Sequence, residues 1–306
     1  MGSRIIGWGS ALPEKVVTND DLAATMDTSD EWIRERTGIR ERRVGGSTVG
    51  LAVDAGRRAL ERAGITGADV DLVVVATTTP DQHMPASSAS VQAELGVNGG
   101  AFDINAACAG FVYGLVTASA LIDAGLRRVL LVGSDTLSRY TDWTDRSTAI
   151  LFADGAGAVV LERSEEPALL GWDLGCDGNA RHILDCDIGG HIHMEGREVF
   201  RRAVRVVVGS AEAALGRAGL TAADVTWLVP HQANIRIIES AADKLGIPMD
   251  RAVEVLSHTG NTSAASIPLA LTAAADDGRL QPGDVLLMSG FGAGMTWSSA
   301  VVRWQP

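Results

Sequence analysis

Three residues far apart in the chain could together make a nucleophile and its partners: Cys108, His231 and Asn261. A thiolate nucleophile needs a base or cationic partner, hydrogen-bond donors for the oxyanion it creates, and a dry pocket. Cys108 stands among small neighbours, Ala107, Ala109 and Gly110. His231 opens the stretch HQAN, and Asn261 lies in the loop HTGNTSAAS. Each has a plainer reading when taken alone. Buried cysteines are mostly inert packing, a histidine just past a strand is often a satisfied structural residue, and asparagine in a glycine loop serves the turn. The glycine-rich SGFGAGMTW (Ser289–Trp297) is either a tight connection between strands or a set of backbone N–H groups turned toward an oxyanion.

The elements that must position these residues are legible. Ile104–Ile122 contains no charged residue and is helix-length and apolar on every face, which predicts a buried helix. Asn105, Thr117 and Ser119 make it too polar for a membrane span. A helix beginning near Cys108 would place unpaired N–H groups and the positive end of its macrodipole by the thiol, which favours the thiolate. His231 follows the apolar run Thr226–Val229, at the carboxyl end of a predicted strand, where catalytic groups collect in α/β folds. Further strands are predicted at Ser3–Gly9, Asp71–Thr77, Gly100–Ile104 and Arg127–Gly133. Ala149–Glu162 predicts two strands around a glycine turn. Helices are predicted at Asn19–Met26, with Asn19 as its cap, at Val49–Ala63 and at Ser87–Leu95.

The chain repeats itself. Ala59–Val75 aligns without gaps on Ala214–Pro230, with ten of seventeen positions identical. Val129–Leu131 then matches Val285–Leu287, and Ala158–Val160 matches Ala300–Val302, in the same order. Such ordered matches indicate duplication. The charged link Glu162–Pro167 sets the expected boundary, giving halves 1–163 and 164–306. Strands alternating with helices predict α/β layers with mixed, mostly parallel sheets. The repeat also brings the counterpart of Cys108 beside Asn261 and Thr262, at the head of a second uncharged helix, NTSAASIPLALTAAA. Cys108 and Asn261 would then face one pocket from opposite halves.

Composition excludes several classes. A net charge of −12 argues against nucleic acid as a general partner. Cys108, Cys176 and Cys186 form neither a disulfide framework nor a metal spacing, which fits a reducing cytoplasm. His191–His193 has no third metal ligand at sensible spacing, and no GxGxxG opens a helix. The first residues lack a signal peptide's apolar core, and Ile6 stands where a myristoylation signal would have Ser or Thr. A cytoplasmic protein is therefore expected.

In combination the motifs point further. AACAGF around Cys108, HQAN at His231–Asn234, GNTSAASIP at Gly260–Pro268, DTSDEWI with RTGIRER near the N-terminus and GFGAGMTW near the C-terminus together resemble the β-ketoacyl-acyl-carrier-protein synthase III family. That resemblance implies a thiolase-like fold of two duplicated βαβαβ-type halves in α/β/α/β/α layers. It also implies a homodimer and a Cys108–His231–Asn261 triad. Cys108 would take an acyl group from an acyl-CoA, malonyl-acyl-carrier-protein would lose carbon dioxide, and the resulting enolate would attack the acyl group. The product would start a fatty-acid or polyketide chain. His231 and Asn261 would donate hydrogen bonds to the developing enolate, and the N–H groups of Cys108 and Gly292 would form the oxyanion hole. No metal or other cofactor is implied.

The resemblance further implies CoA contacts at Trp32, Arg36 and Arg146, with Asn234 on the pantetheine arm. An acidic carrier protein needs a local basic patch, and Arg201, Arg202 and Arg205 with Arg236 are the candidates. Met84 takes the position of a residue that closes the acyl pocket across the dimer. Gly171–Glu195 looks shorter than the corresponding segment of relatives. A biosynthetic thiolase would need a second cysteine in Ser289–Gly294, which has none. An acyltransferase of the same fold, moving acyl groups to oxygen or nitrogen, is the remaining rival.

Overall fold

The computed structural model describes residues 2–306. The first half runs β1 (Gly2–Ala11), β2 (Val16–Thr18), α1 (Asn19–Ala23), α2 (Asp30–Thr37), β3 (Glu41–Arg43), α3 (Thr48–Ala63), β4 (Leu72–Ala76), α4 (Ser87–Glu94), β5 (Gly100–Ile104), α5 (Gly110–Asp123), β6 (Arg128–Thr136) and β7 (Asp154–Ser164). The second runs β8 (Leu169–Cys176), β9 (Leu184–Asp185), β10 (His193–Met194), α6 (Gly196–Ala218), β11 (Trp227–Pro230), α7 (Ile235–Leu245), α8 (Leu256–Thr259), α9 (Ser266–Asp276), β12 (Val285–Gly292) and β13 (Thr296–Arg303).

Two main sheets result, in the orders β1-β7-β6-β4-β5 and β11-β12-β13-β8. Helices α5 and α9 lie between them, α3 and α4 cover the outer face of the first, and α6 with α7 covers the outer face of the second. These are the expected five layers. The sheets are mixed but not mostly parallel. Pairs β4·β5, β4·β6 and β11·β12 are parallel, whereas β1·β7, β6·β7, β12·β13 and β13·β8 are antiparallel. Two of the antiparallel pairs arise because β7 follows β6, and β13 follows β12, without a crossover helix.

The largest core lies between the sheets, where Phe111, Leu115 and Ile122 of α5 meet Ile267 and Leu271 of α9 and Met288 of β12. Burial of such side chains, about 1.5–3 kcal/mol each, is what keeps the uncharged helices inside.

The repeat survives in detail. Gly64 and Gly219 end their helices at φ 67° and 68°, a conformation that favours glycine. Thr66 with Asp69, and Thr221 with Asp224, form matching capping boxes.

Two local expectations differ. Ala149–Glu162 does not make two strands: β7 is continuous, and Gly155 and Gly157 are not at a turn. A Cβ on Gly157 would lie 2.7 Å from Pro268 Cβ, so this glycine lets α9 approach the sheet. The cap of α1 is Thr18, with Asp21 closing its box. Asn19 instead accepts from the buried Arg42 guanidinium at 2.9 Å and donates to Asp30.

The tightest approach near the centre is at Gly133, where a Cβ would sit 2.4 Å from the Ala264 carbonyl oxygen. Gly133→Ala is expected to cost about 1–3 kcal/mol by overpacking, seen as a lower denaturant midpoint with an unchanged slope.

Candidate active site

Cys108 sits in a 3-10 turn, Ala107–Ala109, that leads into α5. The preceding Ala107 holds φ 49°, a left-handed conformation rare for a residue with a Cβ. Asn105 steadies it, its Oδ1 accepting from the Ala107 N–H at 3.2 Å. The second half builds the same corner. Ser263 holds φ 52°, Asn261 Oδ1 accepts from the Ser263 N–H at 3.0 Å, and the 3-10 turn Ser263–Ala265 leads into α9. At this offset Asn261 corresponds to Asn105, and the counterpart of Cys108 is Ala264. The two turns pack against each other, so α5 and α9 meet at their N-terminal ends.

Each turn faces the strand end of the opposite half. A Cβ on Gly133 of β6 would strike the Ala264 carbonyl, and one on Gly290 of β12 would lie 3.4 Å from the Cys108 carbonyl. Two residues further along, the halves diverge. Asp135 Oδ2 accepts from the Ala264 N–H at 3.0 Å. The matching place in β12 is Gly292, where a Cβ would lie 2.5 Å from Cys108 N. The glycine leaves empty the space that a carboxylate fills in the other half. The Cys108 N–H therefore faces room for a substrate oxygen.

His231 follows β11 directly, its N–H donating to the Ser289 carbonyl at 2.8 Å. The ring is 4% exposed and meets Phe291 edge-on, with centroids 5.4 Å apart. Its Nδ1 lies 2.6 Å from Ser266 Oγ. The loop is held by Gln232, whose buried side-chain amide donates to the Pro230 and Val253 carbonyls and accepts from the Val255 and Leu256 N–H groups. Asn261 is fixed through its backbone: its N–H donates to Leu151 O and its carbonyl accepts from Ala153 N, each at 2.9 Å. Cys108, His231, Asn261 and Gly292 line one cavity of about 610 Å³.

Electrostatics corrects one expectation. The helix start does not leave a resting thiolate. Burial pushes the Cys108 thiol up to about 12, with the Asp135 carboxylate adding to the rise and a hydrogen bond from Ser263 opposing it. Burial also pushes the His231 imidazolium down to about 3, so the ring is neutral. Thiol and imidazole are both uncharged at rest, and neither supplies the other with an ionic partner.

Comparison with known proteins bears on this geometry. Residues 102–178 match the 3-oxoacyl-[acyl-carrier-protein] synthase III family, and residues 215–304 match its C-terminal part. A β-ketoacyl-[acyl-carrier-protein] synthase III of Rhizobium meliloti is 49% identical, over 99% of both chains. The chain belongs to the 3-oxoacyl-[acyl-carrier-protein] synthase III family. A Bacillus anthracis member is likewise 49% identical over 99% of both chains. Among solved structures, 3-oxoacyl-[acyl-carrier-protein] synthase III of Aquifex aeolicus superposes with a TM-score of 0.97 at 43% identity, covering 99% of this chain and 100% of that one. The priming β-ketosynthase of the R1128 polyketide pathway superposes at 0.95 with 39% identity, covering 99% and 96%. These neighbours share the thiolase-like fold.

The other expected site residues of this family member are distributed as follows. Trp32, Arg36, Asn234 and Arg236 line the same cavity toward its mouth. Arg36 and Arg146 lie over the Trp32 ring, 4.4 and 4.7 Å from its centroid. Asn234 caps α7 by accepting from the Arg236 N–H, and its amide donates to the Arg36 carbonyl, each at 2.9 Å. The hairpin β9–β10 borders the cavity through Leu184 and Met194. Cys176 and Cys186 are exposed, and no cluster of His, Cys, Asp and Glu among the described residues could hold a metal. Met84 is 81% exposed on a loop and does not line the cavity of the single chain. Arg201 and Arg205 line a separate groove along α6. Arg201 and Arg202 both bind Glu198, whose carboxyl is held down to about 2 by those hydrogen bonds, and Arg202 also reaches Asp177. Asp135, Ser266, Gln232 and Phe291 were not singled out from sequence. The repeat in the sequence aligns Asp135 with Phe291, and only the strand registers, which pair Val129 with Leu72 and Leu286 with Trp227, bring Asp135 and Gly292 to matching places.

Gly292→Ala is expected to leave the circular dichroism spectrum intact and slow thioester attack by on the order of 10²-fold, the scale of one lost oxyanion donor. Alkylation of Cys108 by iodoacetamide, followed by peptide mass to separate it from Cys176 and Cys186, should rise with pH from about 7 to 9 without levelling. A plateau already reached at neutral pH would show a thiolate–imidazolium pair instead.

Proposed function

We propose that the chain catalyses the decarboxylative Claisen condensation of an acyl-CoA primer with malonyl-acyl-carrier-protein, opening a fatty-acid or polyketide chain. The observation that carries this reading is the convergence of Cys108, His231 and Asn261 on one cavity, beside the space that Gly292 leaves at the Cys108 N–H. Half 1–163 supplies the nucleophile, and half 164–306 supplies His231 and Asn261.

Cys108 sulfur attacks the primer thioester, and the carbonyl oxygen is received by the N–H groups of Cys108 and Gly292. Collapse expels CoA, which leaves with the thiol proton. Malonyl-acyl-carrier-protein then enters. Its carboxylate departs as carbon dioxide, and the electron pair moves onto the thioester oxygen. Neutral His231 and Asn261 donate hydrogen bonds there, where negative charge appears only in the transition state. The enolate carbon attacks acyl-Cys108, the C–S bond breaks to release the Cys108 thiolate, and a proton from solvent returns it to the thiol. Neutral donors suit this work, which explains why an asparagine and a deprotonated histidine suffice. Every step uses thioester, thiol and hydrogen-bond chemistry, and none calls on a metal or redox cofactor.

We assign the CoA nucleotide to Trp32, Arg36 and Arg146, with adenine taking the place of one guanidinium against the indole. Asn234 keeps a free amide hydrogen for the pantetheine arm. For the carrier protein, Arg205 and Arg236 are the stronger anchors, because Glu198 offsets the charge of Arg201 and Arg202. A homodimer is supported by β5, an edge strand with half-buried Phe102 and Ile104, since an open apolar edge invites pairing. It would let the exposed Met84 reach the partner's acyl pocket. No described helix is long and apolar enough to cross a membrane, and we place the enzyme in the cytoplasm.

Intact-protein mass after incubation with short acyl-CoAs should show one acyl adduct, absent from Cys108→Ala. His231→Ala and Asn261→Ala should still acylate but lose malonyl decarboxylation by about 10²-fold or more. Equal loss of both steps in those variants would refute the division of labour.

A further inference from the structure

Ser266 is the first residue of α9 and is 1% exposed. Its Oγ makes two hydrogen bonds among the described residues, one with His231 Nδ1 at 2.6 Å and one with the Gln232 N–H at 3.3 Å. A backbone N–H can only donate, so the Ser266 oxygen accepts from Gln232. If Oγ also accepted from Nδ1, the buried hydroxyl hydrogen would have no acceptor among the described residues, so the arrangement that satisfies every group has the hydroxyl donating and Nδ1 accepting. A neutral imidazole carries one proton, and an accepting Nδ1 places that proton on Nε2.

The duplication indicates that the fold itself does not need this polar pair. The counterpart of His231 is Ala76, at the end of β4, and the counterpart of Ser266 is Gly110, at the start of α5. They occupy the same contact: a Cβ on Gly110 would lie 3.4 Å from Ala76 Cβ. The first half therefore fills the position with small apolar groups. The second half installs an imidazole and, directly against it, a hydroxyl.

We propose that Ser266 is a positioning residue that donates to His231 Nδ1 and fixes the Nε2–H tautomer, so that His231 presents a hydrogen-bond donor to the cavity. The opposite tautomer would present a lone pair to the developing enolate oxygen, which repels it. Burial keeps the ring neutral, and a neutral ring without a fixed tautomer would be a donor for only part of the time. This assignment rests on the decarboxylative role proposed above for His231.

The test is nuclear magnetic resonance on protein whose histidines are labelled at the ring nitrogens, with His231 assigned by its loss in His231→Gln. Wild type should show an unprotonated Nδ1 and a protonated Nε2. In Ser266→Ala the pattern should move toward the other tautomer or a mixture. Malonyl decarboxylation by the acyl-enzyme should then fall about tenfold, the order set by one mis-set hydrogen bond, while Cys108 acylation stays within about twofold. Ser266→Thr keeps the hydroxyl and should restore the wild-type pattern and rate. A protonated Nδ1 in wild type, or an unchanged tautomer in Ser266→Ala, overturns the proposal. The wild-type spectrum decides even where a variant fails to fold. A wild type that never decarboxylates malonyl-acyl-carrier-protein would overturn the enzymatic reading instead, and the tautomer would still be assigned.

Discussion

Two backbone corners that ought to be glycine are not. Ala107 and Ser263 hold φ near +50° at equivalent places in the two halves, and such conformations cost about 1–3 kcal/mol each. Asn105 and Asn261 hold them there through matching hydrogen bonds. The corners turn the chain sharply into α5 and α9, and they bring the two N-terminal turns into contact at the centre of the molecule. The rest depends on that contact. It demands helices with small, uncharged first turns, glycines at the facing strand ends, and a layer buried between two sheets. It also places Cys108 next to the loop that carries Asn261.

Function arises where the duplicated parts stop matching. Asp135 caps the Ala264 N–H in one half, and Gly292 leaves the Cys108 N–H uncovered in the other. Ala76 against Gly110 is small-residue packing, whereas His231 against Ser266 is a polar pair at the same location. A nearly symmetric frame thus becomes a one-sided site through a handful of exchanges, and the unspecialised half serves as an internal control for the specialised one. The buried Asp135 keeps its structural task because it accepts from several donors, among them the Thr77 and Thr79 hydroxyls and the Thr78 amide. Its charge also works against a resting Cys108 thiolate.

Much of this was legible in the sequence. The strand Gly100–Ile104, the helix starting near residue 48 and the repeat around Gly64 and Gly219 follow from periodicity and capping chemistry, which act locally. Cys108, His231 and Asn261 were candidates by residue type, loop position and the order of the repeat, and the resemblance to the synthase III family is what joined them into a triad. What was not legible is what depends on distant partners. The continuity of β7 is decided by α9 pressing on Gly157. Strand direction is decided by connections, not by composition. The protonation of Cys108 is decided by burial, which outweighs the helix terminus. Ser266 reads as an ordinary helix-start serine until His231, on another element, is found against its hydroxyl.

The central claim is that one cavity first accepts an acyl group on Cys108 and then uses it against a decarboxylating malonyl unit. The direct measurement is a single turnover. Enzyme is loaded with an acyl-CoA, freed of CoA, and mixed with malonyl-acyl-carrier-protein, while carbon dioxide and the acyl adduct on Cys108 are followed together. The expected result is one carbon dioxide released for each acyl group lost, with matching β-ketoacyl carrier protein formed. Loss of the adduct without carbon dioxide, with the acyl group passed to an oxygen or nitrogen acceptor, would contradict the account.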